Sequence, residues 1–371
     1  MQWNWQQKDW PDFTYDEAAL VILEKRFLQE SGVLRGAFTH IDERDKKQLT
    51  IELISTEALK TSEIEGELLS RDSVQSSIRR HFGIATDNRK IPAAEQGIAE
   101  LMLHLHENFA EPLAHETLHT WHEMLCMGRR DLKVIGSYRT HLEPMEVISG
   151  PLHKPIVHFE APPSKHMPHE MERFVTWFNE DTKTPTLAKA AIAHLYFVCI
   201  HPFEDGNGRI GRALVEKLLA QTLGYPTLIV LSRQIERGRK NYYEMLEQSN
   251  KHNEITQWIT YFATLIVDAQ TETLRHVEFL ISKTKFFDRF CNQLNERQKK
   301  VILRLFEAGP DGFEGGLSAK NYRAITGSPP ATVTRDLHDL TEKGALTKTG
   351  ELKGARYWLN GRIHSRMGDT P

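Results

Sequence analysis

Apolar residues recur at three- and four-residue spacing along most of this chain. From Tyr15 onward the run Leu20, Leu23, Phe27 and Leu28 is followed by Leu49, Leu53, Ile54 and Leu59, the period of helices with one buried face. The stretch from about Arg44 to Leu69 reads as one long helix broken only near Gly66. Ser70 and Asp72 can cap a following helix that ends near Gly83. Leu101, Leu103 and Phe109, then Leu118, Trp121 and Leu125, mark two more helices, and the pattern resumes over Phe174 to Phe178 and Leu187 to Ile200. Between about 140 and 165 the pattern changes. The β-branched pairs Val147–Ile148 and Ile156–Val157 flank the turn SGPLHK, which predicts a hairpin projecting from a helical body. The first fifteen residues are aromatic and irregular (Trp3, Trp5, Trp10, Pro11, Phe13) and read as a strap docked on that body.

The last 80 or so residues form a separate unit. Helices over Glu296 to Glu307, Ser318 to Ile325 and Ala331 to Lys343 precede two extended runs, Ala345–Lys348 and Ala355–Leu359. Three helices and a hairpin are the order of a winged helix. From Gln293 onward, Lys and Arg outnumber Asp and Glu by 13 to 9, a modest excess for a nucleic-acid face. There Thr332, Thr334 and Arg335 would lie near bases and Lys348, Lys353 or Arg356 near phosphates, while Asp336, Asp339 and Glu342 on the same helix count against that role.

Composition narrows the class. Over 371 residues, 40% hydrophobic and 26% charged with a net charge of −3 describe a globular chain, neither collagen-like nor disordered nor a polycation. No apolar run approaches the length of about 20 residues that spans a bilayer, and the start, MQWNWQQKDWPDF, lacks the basic-then-apolar order of a signal peptide. Cys126, Cys199 and Cys291 lie far apart and suggest free thiols in a reducing compartment. The expected location is the cytoplasm.

The segment HPFEDGNGRIGR, residues 201–212, holds the chemistry. His201-Pro202 stops an apolar helix. Asp205-Gly206-Asn207-Gly208 is a tight turn whose two glycines admit positive φ and close approach of a ligand to the backbone. A new helix starts near Gly208 and ends at Gly224 and Pro226. A glycine bend feeding a helix N-terminus is a ready anion site. Arg209 and Arg212, three apart, oppose the helix dipole there, a placement that makes sense against a multiply charged phosphate.

These residues resemble the Fic (Fido) family, whose signature H-P-F-x-D/E-G-N-G-R-x-x-R is met at His201, Pro202, Phe203, Asp205, Gly206, Asn207, Gly208, Arg209 and Arg212. The resemblance implies a mainly α fold: a helical core with a β-hairpin flap, a helical N-terminal cap and, after it, the winged unit. The expected division is residues 1–90, 91–284 and 285–371. It further implies transfer of AMP from ATP to a Ser, Thr or Tyr hydroxyl of a target protein and of the chain itself. His201 would be the general base and Phe203 a core anchor. Asp205 would hold Mg²⁺. Asn207, with the N–H groups of Gly206 and Gly208, would meet the α-phosphate, and Arg209 and Arg212 would clamp the β- and γ-phosphates. Gly136-Ser137-Tyr138-Arg139 and the hairpin residues Ile156, Val157, His158 and Phe159 resemble the family's flap, which pairs with an extended target segment. Tyr242, Tyr243 and Asn250 resemble its adenine pocket. ATP and a target hydroxyl are the implied partners. A second copy, and nucleic acid at residues 285–371, are further candidates; no membrane partner is expected.

A second family pattern, [S/T]-x-x-x-E-[G/N], is met by Thr61-Ser62-Glu63-Ile64-Glu65-Gly66. It implies an inhibitory helix on which Glu65 pairs with Arg212 and holds the arginine from the γ-phosphate. A charge-assisted pair of about 1–3 kcal/mol would shift activity ten- to hundred-fold. The same carboxylate could instead orient a water that removes AMP. Two rivals stand beside this reading. One is a DNA-binding regulator led by the winged unit. The other is a zinc peptidase, since His115-Glu116-Thr117-Leu118-His119 fits H-E-x-x-H, although His122 follows at the wrong spacing and Glu143 is a weak third ligand.

Overall fold

The computed structural model describes residues 2–84, 90–150, 155–227, 229–310 and 312–360. Its helices and strands follow the periodicities. Helices α1 (Val21–Thr39) and α2 (Glu43–Ile64) come first, then α3 (Arg71–His81), α4 (Ala93–Glu107) and α5 (His115–Leu125). Strands β1 (Glu146–Ser149) and β2 (Ile156–Glu160) form the antiparallel hairpin, and residues 151–154 of its turn lie outside the described residues. Next come α6 (Met167–Glu180), α7 (Thr186–Ile200), α8 (Asn207–Leu223), α9 (Leu231–Arg237), α10 (Arg239–Ser249) and α11 (Thr256–Phe290). The chain closes with α12 (Glu296–Glu307), α13 (Ala319–Thr326), α14 (Pro330–Glu342) and the antiparallel pair β3 (Leu346–Thr349) and β4 (Arg356–Leu359).

Local chemistry sets the ends. Ser70 caps α3, its Oγ accepting from the Ser73 N–H. Gly224 closes α8 at φ +76°, a left-handed position that favours glycine. The long helix expected to Leu69 ends at Ile64, because Gly66 turns at φ +86° and the N–H groups of Glu65 and Glu67 both donate to the Ser62 carbonyl at 3.0 Å.

The chain divides into two compact units. One holds Met1–Gly32 and Lys47–Thr273, the other Val33–Lys46 and Leu274–Pro371. Most of the first 90 residues thus share a unit with the helices that follow, while the α1–α2 turn belongs with the C-terminal segment. The core of the larger unit surrounds α7, which is buried on almost every side, as a helix apolar on most of its faces must be. Phe27, Leu101, Trp121, Phe174, Leu214 and Trp258 are among its partners in that core. The aromatic strap docks as expected: Trp3 packs edge-on against Phe159 at 5.4 Å, and the Trp10 indole donates to Glu170 at 2.9 Å. Cys126 and Cys199 are buried free thiols; the side chain of Cys291 lies outside the described residues.

In the smaller unit Phe286, Ile302, Leu305, Tyr322, Val333 and Leu337 gather between three helices and the hairpin. Asp336 and Asp339, counted above against a nucleic-acid face, are committed inside the unit. Asp336 is buried and takes Arg297 at 3.0 Å and the Tyr322 hydroxyl at 3.1 Å, and Asp339 takes the Gln298 amide at 2.7 Å. The Lys353 side chain lies outside the described residues. Among the described residues, no helix is long and apolar enough to cross a membrane.

Candidate active site

The site begins where α7 ends. The His201 N–H closes the last helical bond, to the Phe197 carbonyl at 3.0 Å, and His201 itself turns left-handed at φ +52°. An L-residue pays about 1–2 kcal/mol for that conformation. Arg139 holds it: its guanidinium donates to the carbonyls of His201 at 2.7 Å, Pro162 at 2.5 Å and Ile200 at 3.3 Å, and to the Ser164 hydroxyl at 2.8 Å. The Arg139 N–H adds a bond to the Pro202 carbonyl at 2.9 Å. This cation is buried among carbonyls rather than acids, at the end where a helix dipole favours positive charge. Burial pulls its pKa down to about 10, so it stays charged at neutral pH.

The His201 ring faces its own helix on one side, Nδ1 lying 3.2 Å from the Val198 carbonyl. That contact assigns the proton to Nδ1 and leaves Nε2 as an acceptor. Burial pushes the imidazole down to about 4. It is therefore neutral at pH 7 and able to take a proton.

Beyond His201, Phe203 is buried and stacks on His122 with centroids 4.2 Å apart. Asn207 braces the bend from inside. Its Oδ1 accepts from the Phe203 N–H at 3.0 Å and its Nδ2 donates to the Phe203 carbonyl at 2.8 Å. This corrects the expectation for Asn207: its amide is spent on the loop, and what it can offer an anion is its main-chain N–H. Of the two glycines, only Gly206 takes positive φ, at +83°. Gly208 lies within α8 for a different reason. A Cβ there would stand 2.2 Å from Oε1 of Glu65.

That close approach belongs to the segment after α2. Glu65 Oε1 accepts from Arg212 Nη2 at 2.8 Å. Arg212 also donates through Nε to the Thr61 hydroxyl at 2.7 Å and through Nη2 to the Thr61 carbonyl at 2.8 Å. Two residues on, Glu67 meets Arg209 at 2.6 Å. Both arginine side chains are buried, 1% and 5% exposed, and each keeps one buried nitrogen without a partner, Nη1 of Arg212 and Nε of Arg209. Burial opposes the Arg212 charge, yet Glu65 keeps its pKa raised. Sequence reasoning named Glu65 and missed Glu67. The missing signal was the left-handed Gly66, which turns both carboxylates toward one helix N-terminus.

Asp205 is already paired, with Arg129 at 2.7 Å and Arg209 at 3.3 Å. Burial alone would raise its pKa, but the two arginines hold the carboxyl below its ordinary range. Arg129 forks onto Asp131 as well, at 2.6 Å, another contact the sequence did not announce.

The expected adenine residues separate. Tyr243 is partly exposed, and its hydroxyl donates to the Ile64 carbonyl at 3.2 Å and to Glu65 Oε2 at 3.3 Å. Tyr242 is a correction: it is 1% exposed, with its hydroxyl 2.7 Å from His194 Nε2, and so belongs to the packing rather than to an open wall. Asn250 is another. It is buried and donates to the His158 carbonyl at 3.3 Å, which ties the end of α10 to the hairpin. On that hairpin Ile156 and Val157 are exposed with Val147 and Ile148, and Phe159 is buried. His158 lies between Ser149 and Glu247.

The histidines of the H-E-x-x-H match are employed separately. His115 meets the Tyr138 hydroxyl at 2.7 Å and Glu172 at 3.1 Å, and His119 packs on the Tyr138 ring. Among the described residues, no three His, Cys, Asp or Glu side chains are grouped to hold a metal ion.

Known proteins resemble parts of this chain. Residues 112–219 match the Fic/DOC family, and residues 3–84 match a domain of unknown function, DUF4172. Protein adenylyltransferase Fic of Drosophila melanogaster is 33% identical over 151 residues, which cover 38% of this chain and 30% of that protein. The Drosophila virilis protein of the same name is 37% identical over 106 residues, covering 28% and 20%. The chain therefore spans about a third or less of the length of these relatives. Among solved structures, a Fic family protein from Desulfovibrio desulfuricans superimposes with a TM-score of 0.55 at 22% identity, over 95% of this chain and 98% of that one. Residues 134–508 of Fic-1 from C. elegans give 0.52 at 18% identity, over 72% and 75%. These likenesses carry the fold.

Proposed function

Because the chain is a Fic family protein, we propose that it moves AMP from ATP onto a Ser, Thr or Tyr hydroxyl of a protein, itself included, and that Glu65 restrains it. The observation that carries this reading is the double pairing at the start of α8. Two buried arginines, each with an unused nitrogen, face carboxylates supplied by the turn after α2. Cations so deeply buried need an anion, and a phosphate chain offers more of it than two carboxylates do.

In the transfer, Nε2 of His201 takes the proton of the acceptor hydroxyl. The oxygen forms a bond to the α-phosphorus, and the bond from that phosphorus to the β-phosphate oxygen breaks, releasing pyrophosphate. Arg212 and Arg209 hold the departing charge once Glu65 and Glu67 give way, and the N–H groups of the bend meet the α-phosphate. Asp205, a hard oxygen donor 35% exposed, suits Mg²⁺; when bound, the ion would draw charge from the phosphates. Arg129 can yield Asp205 because it is already forked onto Asp131. Tyr243, which touches Glu65, is the ring left to meet the base.

The test is incubation with α-labelled ATP and Mg²⁺. Glu65→Gly should gain at least about tenfold in protein-bound label over the unchanged chain, the equivalent of one charge-assisted bond, and adding His201→Ala should remove most of that gain. An unlabelled Glu65→Gly chain would sink the reading.

A further inference from the structure

The hairpin carries a second hydrogen-bonded set that the reading above does not use. Ser149, exposed at the end of β1, has its Oγ 2.6 Å from Nε2 of His158 on β2. Nδ1 of the same ring lies 2.9 Å from Oε2 of Glu247 on α10. The outer members are themselves held: Lys251 approaches Glu247 Oε1 at 3.7 Å, and Asn250 donates to the His158 carbonyl at 3.3 Å. With Nδ1–H directed at the carboxylate, Nε2 is the acceptor of the serine proton. Hydroxyl, imidazole and orienting carboxylate in that order are what turns a weak serine into a nucleophile. A latch between the two strands would need only Ser149 and His158. The carboxylate behind the ring, from a third element, adds what a proton transfer needs.

We propose that Ser149 is an acceptor of AMP in self-modification, activated by His158 and Glu247. The inference rests on the AMP-transfer reading and names one hydroxyl it acts on. Ser149 Oγ forms the bond to the α-phosphorus of ATP, and the bond from that phosphorus to the pyrophosphate oxygen breaks. Pyrophosphate leaves with its electron pair. The serine proton passes to Nε2 of His158, and Glu247 balances the imidazolium. Ser149 thus brings its own base, and its label is the share of the gain that should remain when His201→Ala is added.

The full-length Glu65→Gly chain, its hairpin unaltered, is incubated with α-labelled ATP and Mg²⁺, digested, and its modified residues mapped by mass spectrometry. AMP is expected on Ser149. In the same background, Glu247→Gln keeps an acceptor but removes the charge, and His158→Gln removes the base. Each should lower the rate of labelling at Ser149, the second by about a hundredfold, and with Glu247→Gln label at other positions persists. No label anywhere overturns the AMP-transfer reading itself. Label elsewhere with Ser149 unmodified overturns this inference alone. So does an unchanged rate at Ser149 in His158→Gln.

Discussion

At the scale of single residues, the proposed function makes the site a contest between carboxylates and phosphates for two guanidinium groups. Glu65 and Glu67 differ in how firmly they hold. Arg212 has Thr61 as well as Glu65, whereas Arg209 shares Glu67 with Asp205. Glu67 is 34% exposed, so solvent weakens its pair to about 1 kcal/mol or less. Glu67→Gln should therefore raise AMP transfer by about fivefold at most, less than Glu65→Gly, with a lower KM for ATP. Initial rates across ATP concentrations check it, and a fall in rate would mean that Glu67 serves catalysis rather than restraint. The residue scale also separates what the sequence could disclose. His201, Phe203 and the glycine bend form one contiguous run, and local rules of helix ending and turn chemistry made them legible. Glu67, Arg129 and Arg139 act through partners 76 to 142 residues away or, for Arg139, 62 residues away, and no local pattern reports such pairings. Gly208 was misread as a positive-φ glycine, because sequence cannot tell a turn glycine from one that admits a neighbouring carboxylate. Tyr242 was misread because adjacent tyrosines on a helix point to different faces.

At the scale of elements, one cation joins the end of α7 to the loop before the hairpin. Arg139 stitches the carbonyls of Ile200 and His201 to Pro162 and Ser164, so the imidazole, the bend and the exit from β2 are positioned together. Lysine keeps the charge but has a single donor centre, unlike the planar fork. Arg139→Lys should leave buried carbonyls short of donors, at about 1–3 kcal/mol each, and let His201 relax from its left-handed turn. The expected result is a lower melting temperature and a fall in kcat of about a hundredfold, with KM for ATP little changed, since Arg139 touches no phosphate-binding group. A KM rise with kcat intact would place Arg139 in nucleotide binding instead. The helices were legible as elements because each buries one periodic stripe. Their packing was not: no local pattern announced that Thr256–Phe290 is one continuous helix, or that Val33–Lys46 belongs to the smaller unit.

At the scale of the whole molecule, the two units have separate hydrophobic cores with no shared member among the described residues, and their acid sensitivity should differ. In the larger unit burial depresses His122 and His201 to about 4 and His194 to about 3, with His104, His106 and His119 also lowered. A histidine held neutral when folded binds its proton more readily when unfolded. Its stabilising contribution is therefore present above the ordinary value of 6.5 and is lost as pH falls from there toward the folded value. Glu24 and Glu57, raised by burial, act in the opposite sense, but they are two against six. In the smaller unit the lowered groups are carboxylates. Burial opposes the charge of Asp336, yet Arg297 and Tyr322 keep it low, and Lys343 lowers Asp339. Their contribution persists until pH falls below about 4. Calorimetry at pH 7 and pH 5 should show one transition moving down and a second staying in place. Proteolysis at pH 5 just below the first transition should leave a resistant fragment from residues 274–360. Equal movement of both transitions, or loss of that fragment first, would show that the buried histidines do not govern the acid stability of the larger unit.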